Sequence, residues 1–537
     1  MKTQSLIALA VVAALGAGSA NALTRAQYTG AVKVYFGGAT ATDNVLEGTL
    51  IAADGDGICD ATLGGIDIWR ASNQRVITCY ASNDNPVTAG KGFATRAAGG
   101  TPIAFHKESA GGSSNGVNPL IAVAKGQAHS LRWLKVDDLT NDCTVTSVPA
   151  TTNTLAYTDH SNCTLAQTPA DTAASSTYDT NGGISDNEPA LAFPAPGADA
   201  NLLTSVPGLQ IVFGVPVTTA LYRALQINQF PAGSCTSDTD AAANVDSRDS
   251  QACVPSLERS QIAALYSQTI FDWNDFKNSA GNSILTTAGV TAPADEFVRI
   301  CRRVATSGTQ ASYEAHFLNQ RCAPGVIGFA PPDDSSTITD TVYSANQFAS
   351  GSLVNAAPSS GNVRTCMASA NTGNYWGIGI LSTEVTASNY GAGSASVPPG
   401  GNGFRFVAVN GAAPNLVEVA NGRYDFYTEN TVNRVKAGGT GAVTGQRLAL
   451  VELVSNRLGN VDALNTINAT FNINPPWGNG GSTGVAGGVL ALPSATTANT
   501  APYAASELLA SPVGTGTRLG NTCNNPAMLK QQPVDNR

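Results

Sequence analysis

Apolar runs in this chain are short, and most of them stop at a cluster of glycine, serine or threonine. Residues 31–36 (AVKVYF) alternate as a half-buried strand does; residues 37–42 (GGATAT) then turn, and residues 43–47 open a short helix. The succession returns at residues 102–106 (PIAFH), a predicted strand that runs into the glycine- and serine-rich stretch 107–116. Residues 208–217 (GLQIVFGVPV) are apolar enough for a central strand buried on both faces. Residues 256–273 follow Pro255, carry Ile262, Leu265 and Tyr266 at helical spacing, and predict a helix capped by Ser256. Residues 297–304 predict a strand, and beyond residues 306–310 (TSGTQ) a helix is expected through Phe317 and Leu318. Strand, glycine turn and helix in repeated succession mean α/β sheets rather than a β sandwich. Residues 144–186, 238–249 and 478–499 are polar and turn-rich and read as surface loops or β insertions, and no internal repeat is visible.

The N-terminus changes the picture of where the protein works. Lys2, an apolar run over residues 6–15 and the small-residue ending Ala20-Asn21-Ala22 read as a secretory signal over residues 1–22, so the mature chain is expected to begin near Leu23. That run is too short to span a bilayer, and no other stretch approaches about 18 consecutive apolar residues. A periplasmic or secreted protein that does not span the membrane is expected. Ten cysteines fit that compartment. Nearness in sequence predicts Cys59 with Cys79, Cys143 with Cys163, Cys235 with Cys253, Cys301 with Cys322, and Cys366 with Cys523. No CxxC pair and no HExxH spacing among four histidines occurs, so neither a metal site nor a cofactor is expected.

At 537 residues the chain exceeds one ordinary domain. Charged residues make up only 12% of it, the formal charge is −9, and no basic run occurs, which argues against nucleic acid as a partner. An acidic total does not exclude an anionic ligand, because local donors govern a buried site.

The most constrained chemistry lies at residues 303–310. Ser307 followed by Gln310 fits a capping box, although an anion can occupy the same free amides at a helix N-terminus. Gly308 lets an oxyanion approach the backbone, Ser307 and Thr309 add hydroxyls, and Arg303 can supply two parallel charge-assisted donors. An ordinary capped helix beside a surface arginine is the plainer alternative. Thr40 and Thr42 at the first strand–helix turn, and Ser113 and Ser114 in the second glycine-rich turn, weigh against it. Turns that follow strands of an α/β sheet gather at one edge, where ligands bind.

The order GATAT, GGSSNG, GISD (residues 183–186), residues 256–273 and RRVATSGTQASY resembles the phosphate-binding proteins of ABC importers. Residues 303–309 look like that family's Arg-x-x-x-Ser-Gly-Thr signature, GISD like its Gly-x-Ser-Asp segment, and Asp272-Trp273 like the end of its Trp-bearing helix. The resemblance implies an α/β, two-lobed type II periplasmic binding protein fold, mixed sheets flanked by helices, with β and loop insertions. It places residues 23–209 and 378–537 in a first lobe and 210–377 in a second, which close on the ligand. Carried over by position, it implies that Thr42, the Asp43 amide, Ser113, Arg303, Ser307, Gly308 and Thr309 donate to phosphate or a related oxyanion, with Asp186 as its one acceptor. It further implies a monomer that delivers its ligand to an ABC importer permease. Two positions depart from the family: Ala305 stands where an acidic residue usually orients the arginine, and Asp43 where an aromatic is usual.

Two other readings remain open at this point. A secreted or surface relative could scavenge phosphate, or serve structurally, without a transporter. Residues 112–116 (GSSNG) also satisfy GxSxG, the nucleophile elbow of the α/β-hydrolase fold, with His129, His160 or His316 as base. No HGGG-type oxyanion segment accompanies them, and no histidine follows His316, whereas that fold places its triad histidine late. A non-enzymatic binding protein is the expected function.

Overall fold

A computed structural model describes residues 23–53, 57–71, 73–136, 143–152, 154–163, 179–235, 247–322, 353–385, 403–461, 488–493 and 512–528, with the single positions 55, 464 and 468. The expected signal segment and most of residues 238–249 and 478–499 lie outside them.

The fold is mixed α/β, a large mixed sheet flanked by helices. β1 (Val32–Gly38) forms over the alternating run and leads directly into α1 (Asp43–Ile51). β2 (Asp67–Ala71) and β3 (Gln74–Ala81) pair antiparallel, and β3 pairs antiparallel with β4 (Thr101–Glu108). β4 pairs parallel with β1. On the polar side of the sheet, β5 (Thr144–Val148) and β6 (Tyr157–Ser161) form an antiparallel pair whose β6 edge joins β2. β7 (Gly182–Ser185) lies parallel to the other side of β1. Its glycines allow the close fit: a Cβ on Gly182 would fall 2.4 Å from the Phe36 ring on β1, and one on Gly183 would fall 2.2 Å from Gly116 O in the turn 112–116.

β8 (Leu203–Thr218) is the axis of the sheet. The strand extends beyond the predicted 208–217 at both ends, through the exposed residues 205–207 at its start, and the ladder changes partners along it. Residues 203–212 pair antiparallel with β15 (Tyr427–Val435), and β15 also pairs with β7. Residues 213–214 pair with β13 (Leu381–Ser382), and residues 215–218 with β14 (Phe404–Val409). Near its end β8 also meets β12 (Gly377–Gly379), which lies parallel to β10 (Arg299–Arg303); β10 in turn pairs parallel with β11 (Val354–Ala357). One strand thus belongs to two halves of the sheet. β14 lies beyond residue 377 and pairs with the second half of β8. Pro207, which has no N–H to give the ladder, sits at the one register irregularity between β8 and β15.

Helices cover the sheet. α2 (Arg259–Tyr266) is shorter than the sequence predicts and starts later. Ser256 belongs instead to β9 (Ser256–Leu257), paired with β14, and Glu258 caps the helix in a reciprocal box with Gln261. The helix ends because Gln268 turns left-handed, with φ 54°, and the amide of Ile270 closes back on Ala264 O at 3.0 Å. Trp273 is buried beyond that end, edge-on to Trp376. α3 (Gly308–Phe317) follows β10 at the expected place, and α4 (Ser360–Thr372) follows β11. Among the described residues no helix is long and apolar enough to cross a membrane.

All ten cysteines are paired. Three pairs are those that sequence proximity predicts; the other two are exchanged, Cys301 with Cys366 and Cys322 with Cys523. The reason is tertiary. Cys301 on β10 and Cys366 on α4 lie in one apolar cluster, where α4 covers β10. Cys322 emerges past the end of α3 and meets the C-terminal segment, 201 residues away in sequence.

Candidate functional site

The first strand–helix turn is bonded internally. Thr42 donates its hydroxyl to Ala39 O at 3.2 Å, and the Asp43 amide donates to Thr40 O at 3.2 Å. Both groups were expected to face an anion; here both are engaged within the turn. The Asp43 carboxylate is also engaged. It accepts from Ser109 Oγ at 2.7 and 2.8 Å and stands 3.4 Å from Lys107 Nζ and 3.8 Å from Arg75. The Asp43 charge is therefore set beside two basic side chains.

Lys107 escaped the sequence reading. Its ammonium is buried and donates to Gly38 O, Ala39 O and Ser109 Oγ at 2.9, 3.1 and 3.0 Å, so it stitches the end of β4 to the end of β1. Burial pushes its pKa down while the nearby Asp43 pulls it up. A lysine near the end of a strand is a faint signal, since most such lysines are solvated.

The second and third turns meet. Ser114 N donates to Thr306 O at 3.0 Å, and Gly112 lies so close to Ser307 that a Cβ there would fall 2.9 Å from its Cα. Ser113 Oγ accepts from the Asp186 amide at 3.1 Å, and Thr309 Oγ1 donates to Asp186 Oδ2 at 3.5 Å. Asp186 Oδ1 is buried with no hydrogen-bond partner. Burial raises the pKa of this carboxyl, against the Ser113 hydroxyl, the charges of Arg303 and Lys107, and the Thr309 hydroxyl, which lower it. Asn187, the next residue, donates to Gly308 O at 2.9 Å and accepts from Ser312 Oγ at 2.9 Å. It fastens the loop after β7 to the first turn of α3.

The expected capping box is absent. Ser307 occupies the N-cap of α3 without a side-chain capping bond, and Gln310 Oε1 instead accepts from the Arg303 amide at 3.1 Å. The first amides of α3 have no partner within the helix and lie beside Ser113 and Asp186. Arg303 is almost fully buried and donates from Nε, Nη1 and Nη2 to Ala357 O, Ser360 Oγ and Pro358 O at 3.2, 3.2 and 3.0 Å. Glu384, a further acid that sequence reasoning passed over, feels the charges of Asp43, Asp186 and Arg75. Burial, reinforced by the two carboxylates, holds its carboxyl well above the usual range.

The GxSxG serine has other partners. Ser114 Oγ accepts from Phe193 N at 2.8 Å, His160 stacks on Trp69 and lies 3.1 Å from Asp67, and His316 stacks on Phe426.

No protein-family model matches the chain, and no curated protein matches its sequence. Among solved structures it is similar to a protein from Clostridium perfringens assigned as a phosphate ABC transporter substrate-binding protein, with bound phosphate. That likeness has a TM-score of 0.37 and 11% identity and covers 82% of this chain and 97% of the other. PstS from Borrelia burgdorferi is similar at TM-score 0.32 and 9% identity, over 81% of this chain and 96% of its own. An ABC-type phosphate transport receptor from Vibrio cholerae is similar at TM-score 0.27 and 13% identity, over 51% and 73%.

Proposed function

We propose that this chain is an exported solute-binding protein that takes inorganic phosphate, or a tetrahedral oxyanion like it, between two lobes divided along β8. The observation that carries the reading is Asp186 Oδ1, an acceptor buried without a partner among groups that can donate. Ser113 and Thr309 flank it, the N-terminus of α3 at Ser307 and Gly308 adjoins it, and the charge of Arg303 acts on it. Phosphate near neutral pH still carries protons and can donate one to Asp186 while its other oxygens accept. Sulfate carries none and would set its lone pairs against the carboxylate, so one acid selects by repulsion as much as by attraction. The motif resemblance points the same way and extends the reading to a monomer that hands its ligand to an ABC importer permease.

Titration calorimetry with phosphate, arsenate and sulfate tests the reading. Saturable heat is expected with phosphate and arsenate and far weaker binding with sulfate, and Asp186→Asn should narrow that gap. Silence with all three anions removes the proposal, and equal affinities for phosphate and sulfate remove the role given to Asp186.

A further inference from the structure

We infer that Ser360 is a positioning residue of this site: its hydroxyl fixes the Arg303 guanidinium and ties it to the turn at Thr40. The inference rests on the oxyanion reading above.

The Arg303 guanidinium donates from three nitrogens into one turn, the link between β11 and α4. Two of the acceptors there, Ala357 O and Pro358 O, are main-chain atoms. Their places follow from the ladder, in which Arg303 is paired with Ala357 and Ala357 O also accepts from Val304 N at 3.1 Å. Ser360 Oγ is the side-chain acceptor of the three, and so it is the one that a substitution can remove without moving the strand.

Ser360 is also free of the usual task of a serine at a helix start. Ser359 performs it, accepting from Asn362 N at 3.2 Å. Because a guanidinium only donates, the Ser360 hydroxyl must accept from it, and its own proton is left to donate. Thr40 Oγ1, on the turn between β1 and α1, lies 3.4 Å away. The resulting chain runs from Arg303 through Ser360 to Thr40. It starts on β10 in one half of the sheet and ends on the turn after β1 in the other. Ser360 therefore sets the pose of the arginine and bonds across the two halves when they are together, which links closure to the aim of the charge on the ligand.

The test is phosphate calorimetry on the full chain for the parent protein, Ser360→Ala, Ser360→Thr, Thr40→Val and the double variant Thr40→Val/Ser360→Ala, with thermal unfolding of each in the absence of phosphate. Ser360→Ala is expected to weaken phosphate binding about tenfold, the usual scale for a hydrogen bond to a charged group, and Ser360→Thr to restore it. Ligand-free unfolding temperatures should stay together. Thr40→Val should weaken binding by a smaller factor that does not multiply with that of Ser360→Ala, as members of one chain of bonds behave. Parental affinity in Ser360→Ala, or a Ser360→Thr that binds as weakly as the alanine variant and melts early, overturns the inference while leaving the oxyanion reading in place. A parent protein that gives no heat with phosphate overturns the reading itself.

Discussion

Gly308 and Ser113 touch because residue 308 has no side chain: a Cβ there would fall 2.2 Å from Ser113 Oγ and 2.8 Å from Asp186 Cβ. The first turn of α3 is thereby brought against the Ser113 turn and the Asp186 loop, and hydrogen bonds from Ser114 N to Thr306 O and from Asn187 Nδ2 to Gly308 O hold the seam.

Gly308→Ala should force that seam apart. Overpacking of this kind costs about 1 to 3 kcal/mol, measurable by urea unfolding. Phosphate affinity should fall at least tenfold as the helix N-terminus is pushed from Asp186. An alanine variant with parental stability and affinity would mean that the two turns do not meet.

Much of this site could be read from local sequence, because its parts are strand–turn–helix units whose signals lie within a few residues. The β1 turn, the β4 turn and residues 303–309 all fall where the alternation and the glycines predict. The sequence could not disclose how side chains are shared between units. Lys107 reads as an ordinary charge, yet the parallel pairing of β1 and β4 brings it within 3.4 Å of Asp43, and the antiparallel β3 adds Arg75. Ser360 looks like any serine at a helix start. Gln310 stands at the spacing of a capping partner for Ser307 and is instead drawn to the Arg303 amide. The exchanged disulfides have the same origin, since only the packing of α4 on β10 brings Cys366 to Cys301.

The cysteine pairing can be checked on its own. Non-reducing proteolysis and mass spectrometry should recover peptides joining Cys301 to Cys366 and Cys322 to Cys523, while linked peptides joining Cys301 to Cys322 would contradict the fold around α3. Because Cys322 and Cys523 close a loop of 201 residues, replacing both with serine should cost up to about 5 kcal/mol by the chain-entropy relation.

Glu108 gives a prediction in pH. Burial lifts its carboxyl from the ordinary 4.5 to about 7, although Ala110 N and the Gln74 side-chain amide both donate to it. Between those two values the folded protein holds more protons than the unfolded chain, so this residue makes stability fall as pH rises from about 4.5 through about 7. The full effect is on the order of 3 kcal/mol. Urea unfolding at pH 5 and pH 8 should show that Glu108→Gln flattens the decline; equal slopes in parent and variant would contradict the assignment.

The most direct measurement is a side-by-side calorimetric titration of the parent protein and Arg303→Ala with phosphate. Saturable binding by the parent is expected, with a loss of about 2 to 5 kcal/mol in the variant, the range for removing a buried charge-assisted donor from an anion. No heat from the parent, or the same phosphate affinity in both proteins, would contradict an oxyanion site built on Arg303 and the start of α3.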